Sequence, residues 1–238
     1  MDVDRILQTE GYNLRSVSRL AVRDDTWARI WLEGMDHLYA IYHLLRNTRI
    51  VSRKEFYETA FVLDRLTEEL REATSLWELG AGHGMLGQFA CVLHRGLSET
   101  VLVDRRQPPS YERIRERVAL AYPFVKTRTR FVEGEIDDAL GIPKTGLVVG
   151  VHACGALTDR VAETARHSGA NFAVVPCCES RHQLPDHIRQ STPRGETEDT
   201  VNLWRVKRWR SWGYDVEERA IPIEVTARTR LFVGRAPS

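Results

Sequence analysis

Residues 76–87 read Leu76-Trp77-Glu78-Leu79-Gly80-Ala81-Gly82-His83-Gly84-Met85-Leu86-Gly87, an apolar run that passes into a glycine-dense turn. Glycine permits positive φ and removes the Cβ that would hold a ligand off the main chain. Such a turn can seat part of a nucleotide-like molecule against bare backbone. Two frames overlap in these letters. Gly82-x-Gly84-x-x-Gly87 has the spacing of a dinucleotide fingerprint. The apolar run ends near Leu79, however, and a fingerprint starting at Gly80 would put its third glycine on Met85. The alternating frame, Glu78-x-Gly80-x-Gly82-x-Gly84, holds. Asp104 closes the next run, Val101-Leu102-Val103-Asp104, 20 residues beyond Gly84, where a carboxylate can accept from both hydroxyls of a ribose. After a third run comes Glu133-Gly134-Glu135-Ile136, where a carboxylate or backbone group can read an adenine amino group and Ile136 can pack on the ring. Any one of these acids alone is equally well a solvated strand end. Three at the carboxyl ends of three successive strands mark the edge at which open α/β sheets bind ligands.

Two further clusters carry chemistry-bearing side chains. His152-Ala153-Cys154-Gly155 follows a fourth apolar run, and Pro176-Cys177-Cys178 follows a fifth. If these runs are parallel neighbours, the four side chains converge near the glycine turn. One reading is packing, with small, weakly polar cysteines lining a pocket. A second is a metal site from His152, Cys154, Cys177 and Cys178, with His182 as a further ligand. The ligand types suit zinc, but H-x-C plus C-C matches no recognised finger spacing, so no metal is expected. His152 is the candidate general base, with a structural histidine as the competing reading.

The elements that must position these residues are legible in the patterning. Short runs that are apolar throughout, Ser75–Leu79, Thr100–Val103, Thr129–Val132, Gly146–Val151 and Asn171–Val175, alternate with helix candidates near 85–95, 110–121, 156–167 and 197–212. That alternation predicts a parallel sheet covered on both faces. Gly213–Ile221 and Arg228–Arg235 have no helix between them, so a final antiparallel strand is expected. Pro193-Arg194-Gly195 marks a loop within a polar stretch at 180–200. Residues 1–74 read as a helical extension or cap ahead of a domain at 75–238. Trp27, Trp31, Leu38, Ile41 and Leu45 form one stripe along 26–46. A second helix starts after Ser52, with Glu55 completing a capping box, and carries Phe56, Ala60, Leu63, Leu66 and Leu70.

Composition narrows the function classes. With 34 Lys+Arg against 33 Asp+Glu the net charge is +1, which excludes a globally basic nucleic-acid binder but not a local groove. No run of 18 apolar residues occurs and the first residues are charged, so neither a membrane span nor a secretory signal is expected. Four cysteines, two of them adjacent, are too few for a disulfide scaffold and suit a reducing cytoplasm. No obligate protein partner is evident. Trp204-Arg205-Val206-Lys207-Arg208-Trp209-Arg210-Ser211-Trp212 could track a phosphate backbone, but the same spacing is expected of an amphipathic helix packing its tryptophans on the sheet.

Over residues 75–236 the sequence resembles the class I S-adenosylmethionine-dependent methyltransferases, in Glu78-x-Gly80-x-Gly82-x-Gly84, Asp104 and the closing strand pair. The resemblance implies a Rossmann-like seven-stranded sheet, mostly parallel with one antiparallel strand. It implies that the glycine turn holds the methionine part of the cofactor, Asp104 the ribose, and Glu135 and Ile136 the adenine. The H-x-C-G and P-C-C motifs are similar to those of a branch that includes a tRNA ribose methyltransferase. Enzymes resembling this scaffold place catalytic cysteines after the fourth and fifth strands, which adds a third reading: Cys154 or Cys177 as a thiolate attacking a pyrimidine ring. The Asn/Asp-Pro-Pro-Tyr/Phe device for exocyclic amines and the Lys-Asp-Lys-Glu tetrad of ribose methylation are both missing. The acceptor is therefore left as RNA, a small molecule or a protein side chain. A nicotinamide-dependent oxidoreductase and a cofactor-binding protein without turnover remain the alternatives.

Overall fold

A computed structural model describes Ala28 and residues 32–136, 140–223 and 225–237. Its centre is a seven-stranded sheet: β1 (Ser75–Leu79), β2 (Glu99–Asp104), β3 (Thr129–Glu133), β4 (Gly146–Ala153), β5 (Asn171–Pro176), β6 (Asp215–Ala220) and β7 (Arg230–Arg235). The spatial order is β3-β2-β1-β4-β5-β7-β6. Every pairing is parallel except the two made by β7. The expected seven-stranded, mostly parallel sheet with one antiparallel strand is present. The chain reverses direction across the sheet at β1 and β4, and a cleft opens above their carboxyl ends. This is the topological switch point at which such sheets bind ligands.

Helices cover both faces, which is why the inner strands are apolar on both sides. One face packs α1 (Asp36–Leu45), α2 (Arg53–Arg65), α3 (Thr67–Glu72), α4 (Met85–Leu93) and α5 (Pro109–Ala119) over Leu76, Leu147, Val149, Ala173 and Val175. The short α6 (Val125–Arg128) leads into β3. The other face packs α7 (Ala156–Ser168) and α9 (Thr197–Ser211) over Trp77, Val101, Val148, Phe172 and Phe232. Between β5 and α9 lie two 3-10 turns and the short α8 (Asp186–Ser191), in the stretch read from sequence as a loop.

The N-terminal helices share the sheet's own core cluster. Ser52 caps α2 in the expected way: its side chain accepts from the Glu55 N–H while the Glu55 carboxylate accepts from the Ser52 N–H. The expected stripe along 26–46 is interrupted. Gly34 adopts φ 76°, α1 starts only at Asp36, and Leu38, Ile41 and Leu45 carry the burial. Trp27 and Trp31 lie outside the described residues. Leu66 (φ −104°, ψ 12°) separates α2 from α3, yet Leu66 and Leu70 are both buried as their spacing requires. The helices are tied to the sheet's closing edge by charge. Glu69 on α3 is buried, and its Oε1 accepts from Arg219 Nη2 at 2.8 Å and Arg235 Nη2 at 2.7 Å, on β6 and β7. No helix among the described residues is long and apolar enough to cross a membrane.

Candidate active site

The turn after β1 is fixed by β2. The N–H groups of Gly80 and Ala81 donate to the Val103 carbonyl at 2.8 and 3.1 Å, and the Gly82 N–H donates to Asp104 Oδ2 at 2.8 Å. Gly82 sits at φ 53°, and a Cβ built there meets nothing within 4 Å, so its bare face opens into the cleft. Gly87 serves packing instead. It lies on α4 where a Cβ would come within 2.4 Å of Leu102 and 2.7 Å of Thr100, which lets the helix press against β2. Of the two frames in the sequence, the alternating one makes the turn, and the Gly87 of the other fixes the helix–strand distance.

Glu78 is buried at the carboxyl end of β1, and its Oε2 accepts the Gly87 N–H at 2.9 Å. Burial pushes its carboxyl up to about 8, the Gly87 hydrogen bond opposing and the Asp104 charge adding to the rise. Asp104 keeps both oxygens at the cleft: Oδ1 accepts from the Arg105 N–H at 2.7 Å and Oδ2 from Gly82. A carboxylate offers about four acceptor positions, so capacity for two hydroxyls is left. Glu135 is exposed and pairs with Arg105 at 3.0 Å. Asp104, Glu135 and Ile136 line a cavity of about 830 Å³ together with Gly80, Gly134, His152, Cys154 and Leu157. A smaller cavity of about 190 Å³ lies on the other side of the turn, bounded by Glu58, Glu78, Gly82, Met85 and His152. The structure thus brings together Glu78, Gly80, Gly82, Asp104, Glu135, Ile136, His152 and Cys154 around two adjoining spaces. Gly84 stands apart: a Cβ there would lie 2.8 Å from Leu102, so it faces the sheet.

His152 occupies a bulge. The β4–β5 register shifts between Val151 and Ala153, and His152 has φ 54°, a left-handed conformation that a non-glycine residue adopts at a cost. Bulges re-aim side chains beside active sites. Here the imidazole Nε2 meets Glu58 Oε2 on α2 at 3.3 Å. Burial raises the Glu58 carboxyl, but hydrogen bonds to His152 and Thr226 and the charges of His152 and Lys54 outweigh it and hold the group below the ordinary carboxylate range. A buried, ionised carboxylate orienting a half-exposed imidazole at a cleft is the arrangement of a general base and its positioning partner. Glu58 is the candidate site residue that the sequence did not single out. No sequence signal marks it, because the nearly unbroken burial of α2 appears only in the fold.

The cysteines converge as parallel pairing of β4 and β5 requires. Ala153 and Pro176 are register partners, and Cys154 Sγ lies 3.4 Å from Cys178 Sγ. Cys177 Sγ lies 3.6 Å from Cys178 Sγ. The Cys154 thiol is pushed up to about 12, first by its contact with Cys178, then by burial and by Cys177. A thiol raised in this way is a poor nucleophile at neutral pH. Beside the cluster, Arg205 on α9 is buried, with Nη2 donating to the Gly155 carbonyl at 2.9 Å and to Asp159 at 3.1 Å. Trp209 is buried between Phe172 and Phe232, and Arg208 pairs with Glu163. Within the basic-aromatic run at 204–212 only Trp209 and Arg205 are buried; Trp204 and Trp212 are half-buried beside Arg208, and Lys207 and Arg210 are exposed.

Comparison with known proteins agrees with this geometry. A sequence model described as a methyltransferase domain matches residues 52–184. No curated protein matches the sequence significantly. Among solved structures, the methyltransferase domain of a bacterial Hen1 superposes with a TM-score of 0.52 at 15% identity, covering 77% of this chain and all of that one. A Bacillus subtilis tRNA methyltransferase gives 0.47 at 15% identity, covering 74% and 65%. Human N-acetylserotonin methyltransferase, solved with S-adenosylmethionine, gives 0.46 at 14% identity, covering 91% and 64%. The family model spans more than half of the sequence, including the whole glycine turn, Asp104 and both cysteine motifs. The chain therefore belongs to this methyltransferase-domain family and is a methyltransferase.

Proposed function

We propose that the methyl donor is S-adenosylmethionine and that the acceptor is an RNA or a small molecule whose reacting heteroatom approaches His152. The observation that carries this reading is the pair of adjoining cavities split by a turn with a bare glycine face, one lined by Asp104, Glu135 and Ile136 and the other by Glu58 and Glu78. The residues fit the donor. Gly82 leaves open space where any other side chain would intrude, Asp104 has unused acceptor capacity for a ribose diol, and Glu135 and Ile136 supply a polar edge and an apolar surface for a purine. Gly80, Ala81 and Gly82 on the smaller cavity offer bare main chain to an amino-acid portion. A dinucleotide is disfavoured because the phosphate-binding glycine frame is not the one that forms the turn.

When bound, the donor supplies an electrophilic methyl group on a positively charged sulfur. The protein's share is positioning, which carries much of an in-line displacement, and management of one proton. His152, held by Glu58, accepts that proton from the acceptor heteroatom. Loop main chain and the strand-end carboxylates fix the donor, and α7 walls the cleft through Leu157.

Calorimetry with S-adenosylmethionine and with NAD tests the cofactor. Saturable binding of the former, lost in a folded Asp104→Ala protein, is expected, and binding of NAD in its place would refute the assignment. Labelled methyl transfer into RNA, protein and metabolite fractions of an extract then identifies the acceptor. Label in protein alone would overturn the acceptor class proposed here.

A further inference from the structure

We propose that Cys154, Cys177 and Cys178 form a binding site for a thiophilic metal ion of the zinc class, with three sulfur ligands and a fourth position open toward the cleft. The three Sγ atoms lie within 4.8 Å of one another, with individual separations of 3.4 Å for Cys154–Cys178 and 3.6 Å for Cys177–Cys178. Two sulfurs each about 2.3 Å from a tetrahedral zinc ion stand about 3.8 Å apart, so both measured pairs need move only by tenths of an ångström. The set is all sulfur, with no carboxylate, which selects zinc or copper(I) over magnesium or calcium. Spacing rules describe ligands on a single local knuckle, whereas these come from the ends of two different strands. The adjacent pair, which the sequence argued against, turns both sulfurs to one side.

The scaffold on either side is held by buried polar contacts. Arg205 grips the Gly155 carbonyl next to Cys154. Beyond Cys178, the Glu179 carboxylate, only 5% exposed, pairs with Arg228 and accepts from the buried Asn202. Fixed supports of this kind pre-organise ligands. Neither His152, engaged with Glu58, nor His182 belongs to the sulfur cluster. Cys154 and Cys178 are exposed, so an ion can enter. Cys154 also lines the large cavity, so the cluster borders the cleft. Three protein ligands plus an exchangeable position is the pattern of reactive rather than purely structural zinc. A disulfide would use two of the sulfurs at about 2.05 Å and leave the third outside.

The test uses the full chain, reduced, treated with chelator and titrated with cobalt(II) under anaerobic conditions. A thiolate-to-cobalt charge-transfer absorption that saturates at one equivalent and is displaced by zinc is expected. Cys154→Ser and Cys178→Ser should each weaken binding by more than about tenfold, while Cys91→Ala, whose thiol is buried in the other core, should leave it unchanged. These readouts do not require methyl transfer. Three results overturn the proposal: no charge-transfer band in protein shown by circular dichroism to be folded, affinity unaltered in Cys178→Ser, or a Cys154–Cys178 disulfide whose reduction restores no metal uptake.

Discussion

Glu78 links the stability of the fold to the chemistry of its cleft, and Glu78→Gln isolates that link. In the folded protein burial holds the carboxyl at about 8 against an ordinary 4.5. The folded state therefore binds this proton more tightly than the unfolded chain, and the stability associated with Glu78, complete below about 4.5, is lost as pH rises toward about 8. A tenfold difference in proton affinity corresponds to about 1.4 kcal/mol, which sets a ceiling of about 5 kcal/mol and a change of about 3 kcal/mol between pH 5 and pH 8. Glutamine keeps the shape and can still accept the Gly87 N–H, but has no proton to lose. Urea unfolding followed by tryptophan fluorescence at several pH values gives both curves. The variant should gain on the native protein as pH rises, by on the order of 3 kcal/mol over that window. Parallel curves would show that Glu78 is ionised without penalty, and the account of the buried strand end would be wrong.

Other outcomes follow from contacts described above. Gly87→Ala places a methyl group 2.4 Å from Leu102 and should cost about 1–3 kcal/mol in the same unfolding assay. His152→Ala should reduce the rate of methyl transfer by about 10²–10⁴-fold with donor binding nearly unchanged. Glu58→Gln should give a smaller loss of rate and also leave donor affinity intact in calorimetry. Glu69→Gln should cost on the order of 2 kcal/mol at pH 7. Burial raises the Glu69 carboxyl, but Arg219 and Arg235 hold it lower overall, so this deficit should shrink as pH falls below 4.5.

The strands and their order of use were legible because a sheet covered on both faces needs runs of apolar residues with no polar alternation. Ser75–Leu79 coincides with its predicted bounds, and the other parallel strands differ by a residue or two at their ends. The glycine turn and Asp104 were legible because few residue types tolerate a backbone bent at φ 53° beside an open cleft. The meeting of Cys154 with Cys178 followed from treating the fourth and fifth strands as neighbours. The bulge at His152 was not legible: nothing in Val151-His152-Ala153 distinguishes a strand end from a left-handed kink. Glu58 was hidden for a related reason. A carboxylate on a helix reads as solvated until the packing that buries it is known. The break at Gly34 escapes the pattern because an apolar stripe can cross a turn and keep its spacing.

The strand order also sets a timetable for assembly. The edges of β1 are closed by β2 and β4, and β4 begins at Gly146, well after the glycine turn has been synthesised. During synthesis on the ribosome the cleft has no second wall until that strand has emerged. The Glu69 clamp waits longer still, for Arg219 and Arg235. The early helices can meet α4 and α5 before then, but the sheet that completes their core closes last, and partly covered apolar surface of this kind is where a nascent chain is prone to aggregate.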